Sequence, residues 1–510
     1  MTITENISRP TAEASELALQ LQREGRFLEA EAICREILLI QPDSAEMHKN
    51  LGNTLLSLNR LDEAEQAYRQ SLSLDPDYGA AYNNLGNVLR LTNRLEEAEQ
   101  AFHQALTRLP NSAEVHNNFG NVFMDLNQFE VAEQFYRKAI MLDANYTLAY
   151  SNRGNALMSL GRHQVAEKSY RQSITIKPNF SEAKFNLSLL CLLQGRFDEG
   201  FKLYEQRLDK SYTCSYSAKR LKEQFNDLKE HNRWEGESLE GKSLLIITEQ
   251  GDGDNLMMMR YLPLLREFYP KRLIVYCDPN LKRLFQSMPS VDEVVSKTEP
   301  LPIDKINSYC ATMSLPYLFQ TQLHSIPNNI PYIFVPDQMK EKWLIQLGKV
   351  SGLKVGLVWA GSQSRYNSKR SLSLSEFSPL LDISGVNLIS LQKGEAAGEL
   401  KKSGWNIPDW MHMCDDYLDT ASLVAELDLV ISVDTSVAHL AGALGKPVLL
   451  LNRFESEWRW MLDREDSPWY PSMKILRQKK YGNWDDVIDS ITKELTDSPE
   501  IRPHILARAL

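Results

Sequence analysis

The chain has 510 residues, and its content of 43% hydrophobic and 24% charged residues is typical of globular proteins. Its length predicts more than one domain. The net charge of −10 argues against a protein whose whole surface binds nucleic acid or anionic membranes. No apolar run approaches the roughly 20 residues that span a bilayer, and the opening stretch, MTITENISRP, lacks the features of a signal peptide. We therefore expect a cytoplasmic protein with no transmembrane segment and no nucleic-acid partner.

Six cysteines are spread along the chain without a CxxC pair or a zinc-type spacing. We expect them to be reduced, mostly buried thiols. They are Cys34, Cys191, Cys214, Cys277, Cys310 and Cys414.

A repeat of 34 residues runs through residues 11–214. A glycine, an alanine and an aromatic residue keep fixed positions in it, which is the tetratricopeptide pattern of two helices that cross at small residues. We predict six units, beginning near residues 11, 45, 79, 113, 147 and 181, and forming an α-solenoid. The recurring residues are Gly52, Gly86, Gly120 and Gly154; Ala30, Ala64, Ala98, Ala132 and Ala166; and Tyr68, Phe102, Tyr136, Tyr170 and Tyr204. The last unit departs from the pattern, with Ser188 and Gly200 in the glycine and alanine positions, as capping repeats often do.

Asparagines recur at two positions of the first helix of the units, three residues apart and therefore on one helix face. A row of amides on a concave surface can pair with the backbone of an extended peptide, and this is the interpretation that we favour. The alternatives are hydrogen bonds between repeats and recent duplication. The first position holds Asn50, Asn84, Asn118, Asn152 and Asn186, and the second holds Asn53, Asn87, Asn121 and Asn155.

Residues 215–240 are polar and charged, which predicts a linker with one helix. In residues 241–345, the apolar runs SLLII, RLIVYC and VDEVV alternate with helical patterns. This alternation predicts a Rossmann-like domain with a parallel sheet. The turn GDGDN places Asp252 and Asp254 at the carboxyl end of a strand, where such sheets bind ligands. A helix cap and a metal site are alternative roles for these carboxylates.

Residues 350–482 show the same alternation and predict a second Rossmann-like domain. The strand KVGLVWAGS ends in small residues, and Gly361 allows a ligand to approach the backbone closely. A basic stretch with Arg365, Lys369 and Arg370 follows, for which a solvated loop is the alternative. The strand VNLISLQKG then places Gln392 in a loop that borders the same region. Residues 483–510 predict a C-terminal helix and tail.

The clearest βαβ unit of the second domain spans residues 431–451, where LDLVIS leads through VDTS into the helical pattern SVAHLAGALG. The first turn of a helix presents unpaired N–H groups and the positive end of the helix dipole. This turn is therefore an anion site, and phosphate is its natural ligand. The alternative is that Asp434 or Ser436 only caps a buried helix, while His439 packs in the interface.

The stretch DTSVAHLAGALGKPV resembles the donor-nucleotide motif of the heptosyltransferase-like glycosyltransferases of family nine. The stretch RFESEWRWMLDREDSPWYPSMKILRQ resembles bacterial relatives that are fused to tetratricopeptide repeats. The resemblance implies an α plus α/β chain, in which two Rossmann-like domains of the GT-B fold follow the solenoid. The layout is also similar to O-linked N-acetylglucosamine transferase, whose superhelix is lined with asparagines.

The resemblance also implies roles for the residues. Asp254 coincides with the candidate general base of the heptosyltransferases, which takes the proton of the acceptor hydroxyl. Asp252 and Asn255 depart from the family turn, which has an apolar residue and a threonine there, and this leaves the acceptor open. GT-B enzymes do not depend on a metal, so we expect the nucleotide sugar as co-substrate and no metal or other cofactor. The donor site implied by the resemblance comprises Gly361, Arg370, Gln392, Asp434, Thr435, Ser436, Val437 and His439.

We therefore predict a metal-independent, inverting glycosyltransferase of the hexosyl or heptosyl type, acting on a protein or peptide that the repeats recruit. One alternative is a non-catalytic scaffold with a degenerate transferase module. Another is a transferase for a glycan acceptor, with repeats that serve assembly only. ADP-, GDP- and UDP-sugars all remain candidate donors, and a homodimer remains open because superhelical repeats often dimerise.

Overall fold

The computed structural model describes residues 11–209, 223, 227–361 and 370–496. Two compact units divide the chain at residues 186 and 187, inside a helix. The fold class is the expected one, because helical repeats are followed in the chain by two parallel α/β sheets. Among the described residues, no helix is both long and apolar enough to cross a membrane. Residues 215–222 and 224–226 of the predicted linker, residues 497–510 of the predicted tail, Cys214, Arg365 and Lys369 lie outside the described residues.

The repeats form antiparallel helix pairs, and a residue with left-handed backbone joins the two helices of each pair. These residues are Gly25, Asn59, Asn93, Asn127, Gly161 and Gly195. Glycine and asparagine tolerate this conformation best, so a short local signal ends the first helix of each pair. The helices are α1 (Thr11–Arg23), α2 (Phe27–Ile40), α3 (Ala45–Ser57), α4 (Leu61–Leu74), α5 (Gly79–Leu91), α6 (Leu95–Arg108), α7 (Ala113–Asp125), α8 (Phe129–Leu142), α9 (Thr147–Ser159), α10 (His163–Ile176), α11 (Ser181–Leu193) and α12 (Phe197–Tyr204).

The recurring glycine and aromatic residue of each repeat pack against each other inside the pair. A Cβ atom at Gly52 would lie 2.6 Å from the Tyr68 ring, and one at Gly86 would lie 2.8 Å from the Phe102 ring. Both rings are fully buried. The periodic glycine is therefore required by the close approach of the two helices.

The first sheet has five parallel strands in the order β1-β5-β2-β3-β4. Its last four strands have the order of a Rossmann half, so the chain changes direction between β2 and β5. The strands are β1 (Asn232–Arg233), β2 (Ser243–Ile247), β3 (Arg272–Cys277), β4 (Glu293–Ser296) and β5 (Ser308–Ala311). The helices are α13 (Asp252–Met258), α14 (Leu262–Leu265), α15 (Pro279–Gln286), α16 (Leu315–Leu318) and α17 (Asp337–Leu347).

The second sheet is also parallel, in the order β10-β9-β8-β6-β7. The chain changes direction between β6 and β8, and in such sheets the ligand crevice lies outside the carboxyl ends of those two strands. The strands are β6 (Leu353–Val358), β7 (Val386–Ser390), β8 (Leu429–Val433), β9 (Val448–Asn452) and β10 (Met473–Arg477). The helices are α18 (Ala397–Ser403), α19 (Tyr417–Ala425), α20 (Ser436–Ala443) and α21 (Asp485–Thr496).

Candidate functional site

Two neighbouring cavities, with volumes of 620 and 420 Å³, lie at the carboxyl ends of β6 and β8. Their walls share Gly361, Tyr417, Thr435 and Ser436, so the cavities adjoin one another. Their position is the one that the change of direction between β6 and β8 predicts for a ligand site. We call them the large cavity and the charged cavity.

All nine site residues that are predicted outside the repeats line these cavities. The charged cavity holds Asp254, Gly361, Arg370, Asp434, Thr435, Ser436 and His439. The large cavity is lined by Gly361, Gln392, Thr435, Ser436 and Val437. The tertiary structure therefore brings together residues from both sheets, and their individual roles stay predictions.

Helix α20 begins at the wall that the two cavities share. Thr435 is its N-cap residue, but the Thr435 side chain does not cap the helix and instead lies 3.0 Å from the Ser432 hydroxyl. The first N–H groups of the helix, at Ser436 and Val437, therefore have no helical acceptor and stand at the cavity wall. This arrangement suits an anionic ligand.

Asp254 is the third residue of α13, and its Oδ2 accepts a hydrogen bond of 3.2 Å from the backbone N–H of Gly251. Asp254 therefore takes part in capping α13, although the N-cap residue is Gly251, and its carboxylate also lines the charged cavity. The same carboxylate forms an ion pair with Arg459. Burial raises the pKa of the Asp254 carboxyl, and the neighbouring Arg459 offsets only part of this effect.

Arg370 lies directly over the turn at the end of β6. A Cβ atom at Gly361 would lie 2.7 Å from Arg370 Nε, so only glycine at this position leaves the guanidinium where it is. Arg370 Nη1 is 4.0 Å from Asp434 Oδ2, and Asp434 Oδ1 is 3.9 Å from His439 Nε2. A cation, a carboxylate and an imidazole therefore stand side by side at the start of α20.

His439 is buried and is held on two sides by aromatic residues. Its ring stacks on Trp460 with centroids 5.1 Å apart, and its Nδ1 is 3.0 Å from the Tyr470 hydroxyl. Burial, together with the cations Arg459, Arg260 and Arg370, lowers the pKa of His439 well below its usual value. His439 is therefore a neutral imidazole at physiological pH.

Gln392 uses its entire amide on the backbone around it. Its Oε1 accepts from the N–H groups of Trp359 and Ala360 at 3.1 and 2.9 Å. Its Nε2 donates to the carbonyls of Ala360 and Lys393, both at 2.9 Å. Gln392 thus shapes the turn at the end of β6 and also lines the large cavity, and its part in donor binding stays a prediction.

The structure adds residues to the site that the sequence reasoning missed. Arg459 pairs with Asp254, and the Tyr417 hydroxyl donates to Ser436 Oγ at 2.7 Å. Arg260 is 3% exposed and lies 4.7 Å from the centroid of the Tyr470 ring, behind His439. An arginine in the aromatic run EWRWM is the one signal that could have pointed to Arg459.

Several of the recurring asparagines hydrogen-bond to polar side chains of the preceding repeat. Asn84 Nδ2 donates to Asn53 at 2.7 Å, and Asn118 Nδ2 donates to Asn83 at 3.1 Å. Asn152 Nδ2 donates to Asn117 at 2.9 Å, and Asn186 Nδ2 is 3.5 Å from Ser151 Oγ. Asn50 is buried, and its amide has no partner within the described part of the chain. Bonds between repeats, one of the alternatives, are therefore present.

Comparison with known proteins agrees with a chain of helical repeats followed by two α/β sheets. Tetratricopeptide-repeat families match residues 10–77, 49–113, 120–161 and 148–180. Residues 418–491, which contain β8, α20 and the ion-pair arginine, match glycosyltransferase family 9 (heptosyltransferase). Tetratricopeptide repeats and a family 9 glycosyltransferase region therefore occur in one chain.

Protein FlbA of Caulobacter vibrioides is similar to this chain, with 29% identity over 291 residues. The match covers 52% of this chain and 48% of FlbA, so the chain spans about half the length of the curated relative that it matches. Among solved structures, pilF of Pseudomonas aeruginosa has 21% identity and a TM-score of 0.35, covering 42% of this chain and 97% of that one. Yeast Tom70 has 21% identity and a TM-score of 0.33, covering 40% of this chain and 44% of that one.

Proposed function

We propose that the protein is a GT-B glycosyltransferase that transfers a sugar from a nucleotide sugar with inversion at the sugar C1 atom. One observation carries the proposal: the Asp254 carboxylate, the Arg370 guanidinium and the first turn of α20 line one cavity of 420 Å³. This set combines a base with two sources of positive charge. The match of residues 418–491 to glycosyltransferase family 9 supports the same conclusion.

In the proposed reaction, the acceptor hydroxyl gives its proton to Asp254 as its oxygen forms a bond to C1 of the sugar. The bond from C1 to the phosphate oxygen breaks, and its electron pair leaves with the nucleoside diphosphate. Negative charge therefore builds up on the diphosphate in the transition state. Arg370 and the N–H groups of α20 meet that charge in a partly closed site, where such interactions are strong.

His439 is suited to donate a hydrogen bond to the leaving phosphate. When the Tyr470 hydroxyl donates to Nδ1, the single proton of the neutral ring resides on Nε2. That nitrogen is on the side of Asp434, in the charged cavity. A neutral donor adds no net charge to a region that already holds Arg370 and Arg459.

The large cavity has the size and lining of a nucleoside site. Apolar side chains form part of its wall, and carboxylates that can accept bonds from ribose hydroxyls or base amino groups form another part. The apolar residues include Val358, Leu391, Ala396 and Met411, and the carboxylates are Glu395, Asp415 and Asp416. The adjoining charged cavity would then receive the diphosphate and the sugar.

We propose a protein or peptide as the acceptor, and the tetratricopeptide repeats support a role in protein interaction. Several asparagine amides use part of their hydrogen-bonding capacity on the preceding repeat, and an amide has two N–H groups and two lone pairs. The bonds between repeats also favour a second candidate, a glycan-directed transferase whose repeats serve assembly. A labelled donor sugar would distinguish the two. Protease treatment should move the label of a protein acceptor into small peptides, whereas the size of a labelled glycan should not change.

A thermal-shift panel with ADP, GDP, UDP and their common sugar conjugates tests donor binding. Ligand at about 100 times its Kd adds about 2.7 kcal/mol to the unfolding free energy, which raises the midpoint by a few degrees. We expect one base to give the largest shift and EDTA to leave it unchanged. If folded protein shows no shift with any nucleotide, the proposal fails in favour of a scaffold.

A further inference from the structure

Helix α12 is the last repeat helix in the chain, but it belongs to the second compact unit, which begins at residue 187. It keeps the repeat tyrosine, as Tyr204, whereas Leu189 stands where other repeats have the asparagine that this tyrosine bonds. The last tyrosine therefore needs a different partner. In earlier repeats, the hydroxyls of Tyr68, Tyr136 and Tyr170 donate to Asn53, Asn121 and Asn155 at 2.8, 2.8 and 2.7 Å.

The partner of Tyr204 is Gln250, in the loop between β2 and Asp254. Gln250 Nε2 donates to the Tyr204 hydroxyl oxygen at 2.5 Å. The backbone of Gln250 is left-handed, with a φ of 59°, which residues with a side chain rarely adopt. A bond to its side chain therefore helps to hold the loop in an unusual conformation.

A buried ion pair ties the turn after α12 to the same loop. Arg207 is 2% exposed and donates to both carboxylate oxygens of Glu249, at 2.8 and 2.6 Å. Glu249 Oε1 also accepts from the N–H of Met313 at 3.0 Å, and the Glu249 N–H donates to Asn255 Oδ1 at 3.1 Å. The pair therefore anchors Glu249 before Asp254, and the Glu249 backbone is in turn bonded to Asn255 directly after Asp254.

A second route from α12 reaches Asp254 through its cationic partner. The rings of Tyr204 and Phe201 lie 6.4 and 5.9 Å from the Trp458 ring, between centroids. The guanidinium carbon of Arg459 lies 4.7 Å from the centroid of Trp458, and Arg459 pairs with Asp254. Helix α12 thus supports both the loop of Asp254 and the arginine that holds its carboxylate.

We propose that α12 supports catalysis by the transferase. Tyr204 and Arg207 are positioning residues for the loop that carries Asp254. The catalytic half of this inference rests on the proposed function, which makes Asp254 the base. The conformational half, that α12 holds residues 249–255 in place, stands on the contacts of α12 alone. The test below measures the two halves separately.

The first measurement is amide hydrogen exchange of the full chain across residues 249–255. Tyr204→Phe removes the hydroxyl that accepts from Gln250, and Tyr170→Phe is the matched control, with the same atom removed at the same repeat position. We expect exchange in 249–255 to rise about fivefold in the Tyr204 variant, the value of one hydrogen bond. The control should leave this segment unchanged, and thermal unfolding should show both variants folded.

The second measurement is turnover with the sugar conjugate of the nucleotide, among ADP, GDP and UDP, that gives the largest thermal shift. In Tyr204→Phe, kcat should fall about fivefold or more, while the Kd of that nucleotide and the KM of its conjugate stay unchanged. If the wild-type protein shows no turnover but exchange in residues 249–255 rises in Tyr204→Phe, the proposed function fails and the conformational half is supported. Unchanged exchange in Tyr204→Phe, or an equal rise in Tyr170→Phe, overturns the conformational half and with it the inference. Raised exchange with full turnover overturns the catalytic half.

Discussion

The ion pair of Asp254 and Arg459 joins residues that are 205 positions apart in the chain, and it sets the properties of the candidate base. The Asp254 side chain is 14% exposed and that of Arg459 is 11% exposed. Burial raises the pKa of Asp254, so its carboxylate binds a proton more tightly than an exposed aspartate does. Arg459 limits this rise and fixes the direction of the carboxylate, both of which suit a general base.

Replacing Asp254 by Asn removes the base and keeps the size of the side chain. We expect the transfer rate to fall by about 10²- to 10⁴-fold, the usual contribution of a general base, with the Kd of the nucleotide unchanged. Steady-state kinetics and titration calorimetry measure the two quantities. Asp278→Asn is the control, because Asp278 pairs with Lys297 and lies in the wall of neither cavity. Normal turnover in Asp254→Asn would show that another group takes the proton.

The pH dependence of transfer tests the role of Arg459. A base acts in its ionised form, so kcat/KM should be lost as the pH falls through the pKa of Asp254, which is raised above the usual aspartate value. Arg459→Met removes the cation that lowers this pKa, so the acid limb of the profile should move to higher pH. Kinetic profiles of both proteins measure this shift, and an acid limb that stays in place would separate Arg459 from the titration of Asp254.

Among the secondary-structure elements, the repeat helices carry asparagines that share one repeat position but differ in their hydrogen bonds. Asn121 Oδ1 accepts from the Tyr136 hydroxyl at 2.8 Å and from Asn152 at 3.3 Å, so it links two helices of its own pair and the next repeat. In the third repeat, Phe102 replaces the tyrosine and has no hydroxyl to donate to Asn87. Asn121 and Asn87 therefore occupy the same repeat position, but only Asn121 accepts a hydrogen bond from a tyrosine of its own repeat.

Asn121→Ala leaves the buried hydroxyl of Tyr136 without its acceptor, and we expect the unfolding free energy to fall by about 1–3 kcal/mol. Asn87→Ala removes an amide at the equivalent position with no tyrosine to leave unpaired, and it should cost clearly less. Denaturant unfolding followed by circular dichroism compares the two variants. Equal losses would mean that the tyrosine bond contributes little to the solenoid.

On the scale of the whole molecule, the candidate site is assembled from the carboxyl ends of both sheets. Gly251 to Asp254 come from the first sheet, and Gly361, Asp434 and the start of α20 come from the second. A Cβ atom at Gly253 would lie 2.7 Å from His439 Cδ2, so α13 and α20 are in direct contact. Residues 418–491, which match the glycosyltransferase family, therefore supply only part of the cavity wall.

Binding of the donor nucleotide should slow amide exchange in two separate segments of the chain, near residues 251–254 and near residues 434–439. The reason is that one ligand in the charged cavity would cover both segments. Hydrogen exchange of the full chain, with and without the nucleoside diphosphate that gives the largest thermal shift, measures this protection. Protection confined to the second segment would place Asp254 too far from the donor for the proposed reaction.

Sequence patterns were sufficient wherever the deciding interactions are local. The repeat period and the turn that starts α20 both follow from neighbouring residues. The alternation of apolar runs with helical patterns likewise predicted both parallel sheets. The nine site residues, which the family resemblance implied, also line the two cavities at the carboxyl ends of β6 and β8.

The sequence by itself thus determined the solenoid, the two sheets and the edge of each sheet at which polar residues gather. Tertiary structure alone decided which polar groups meet: Arg459 with Asp254, Tyr470 with His439, and Tyr204 with Gln250. It also decided that Gln392 holds a turn and that several repeat asparagines bond to side chains of the preceding repeat. The physical reason is that helices and strands follow from local periodicity, whereas hydrogen bonds and ion pairs between distant residues depend on how the elements pack.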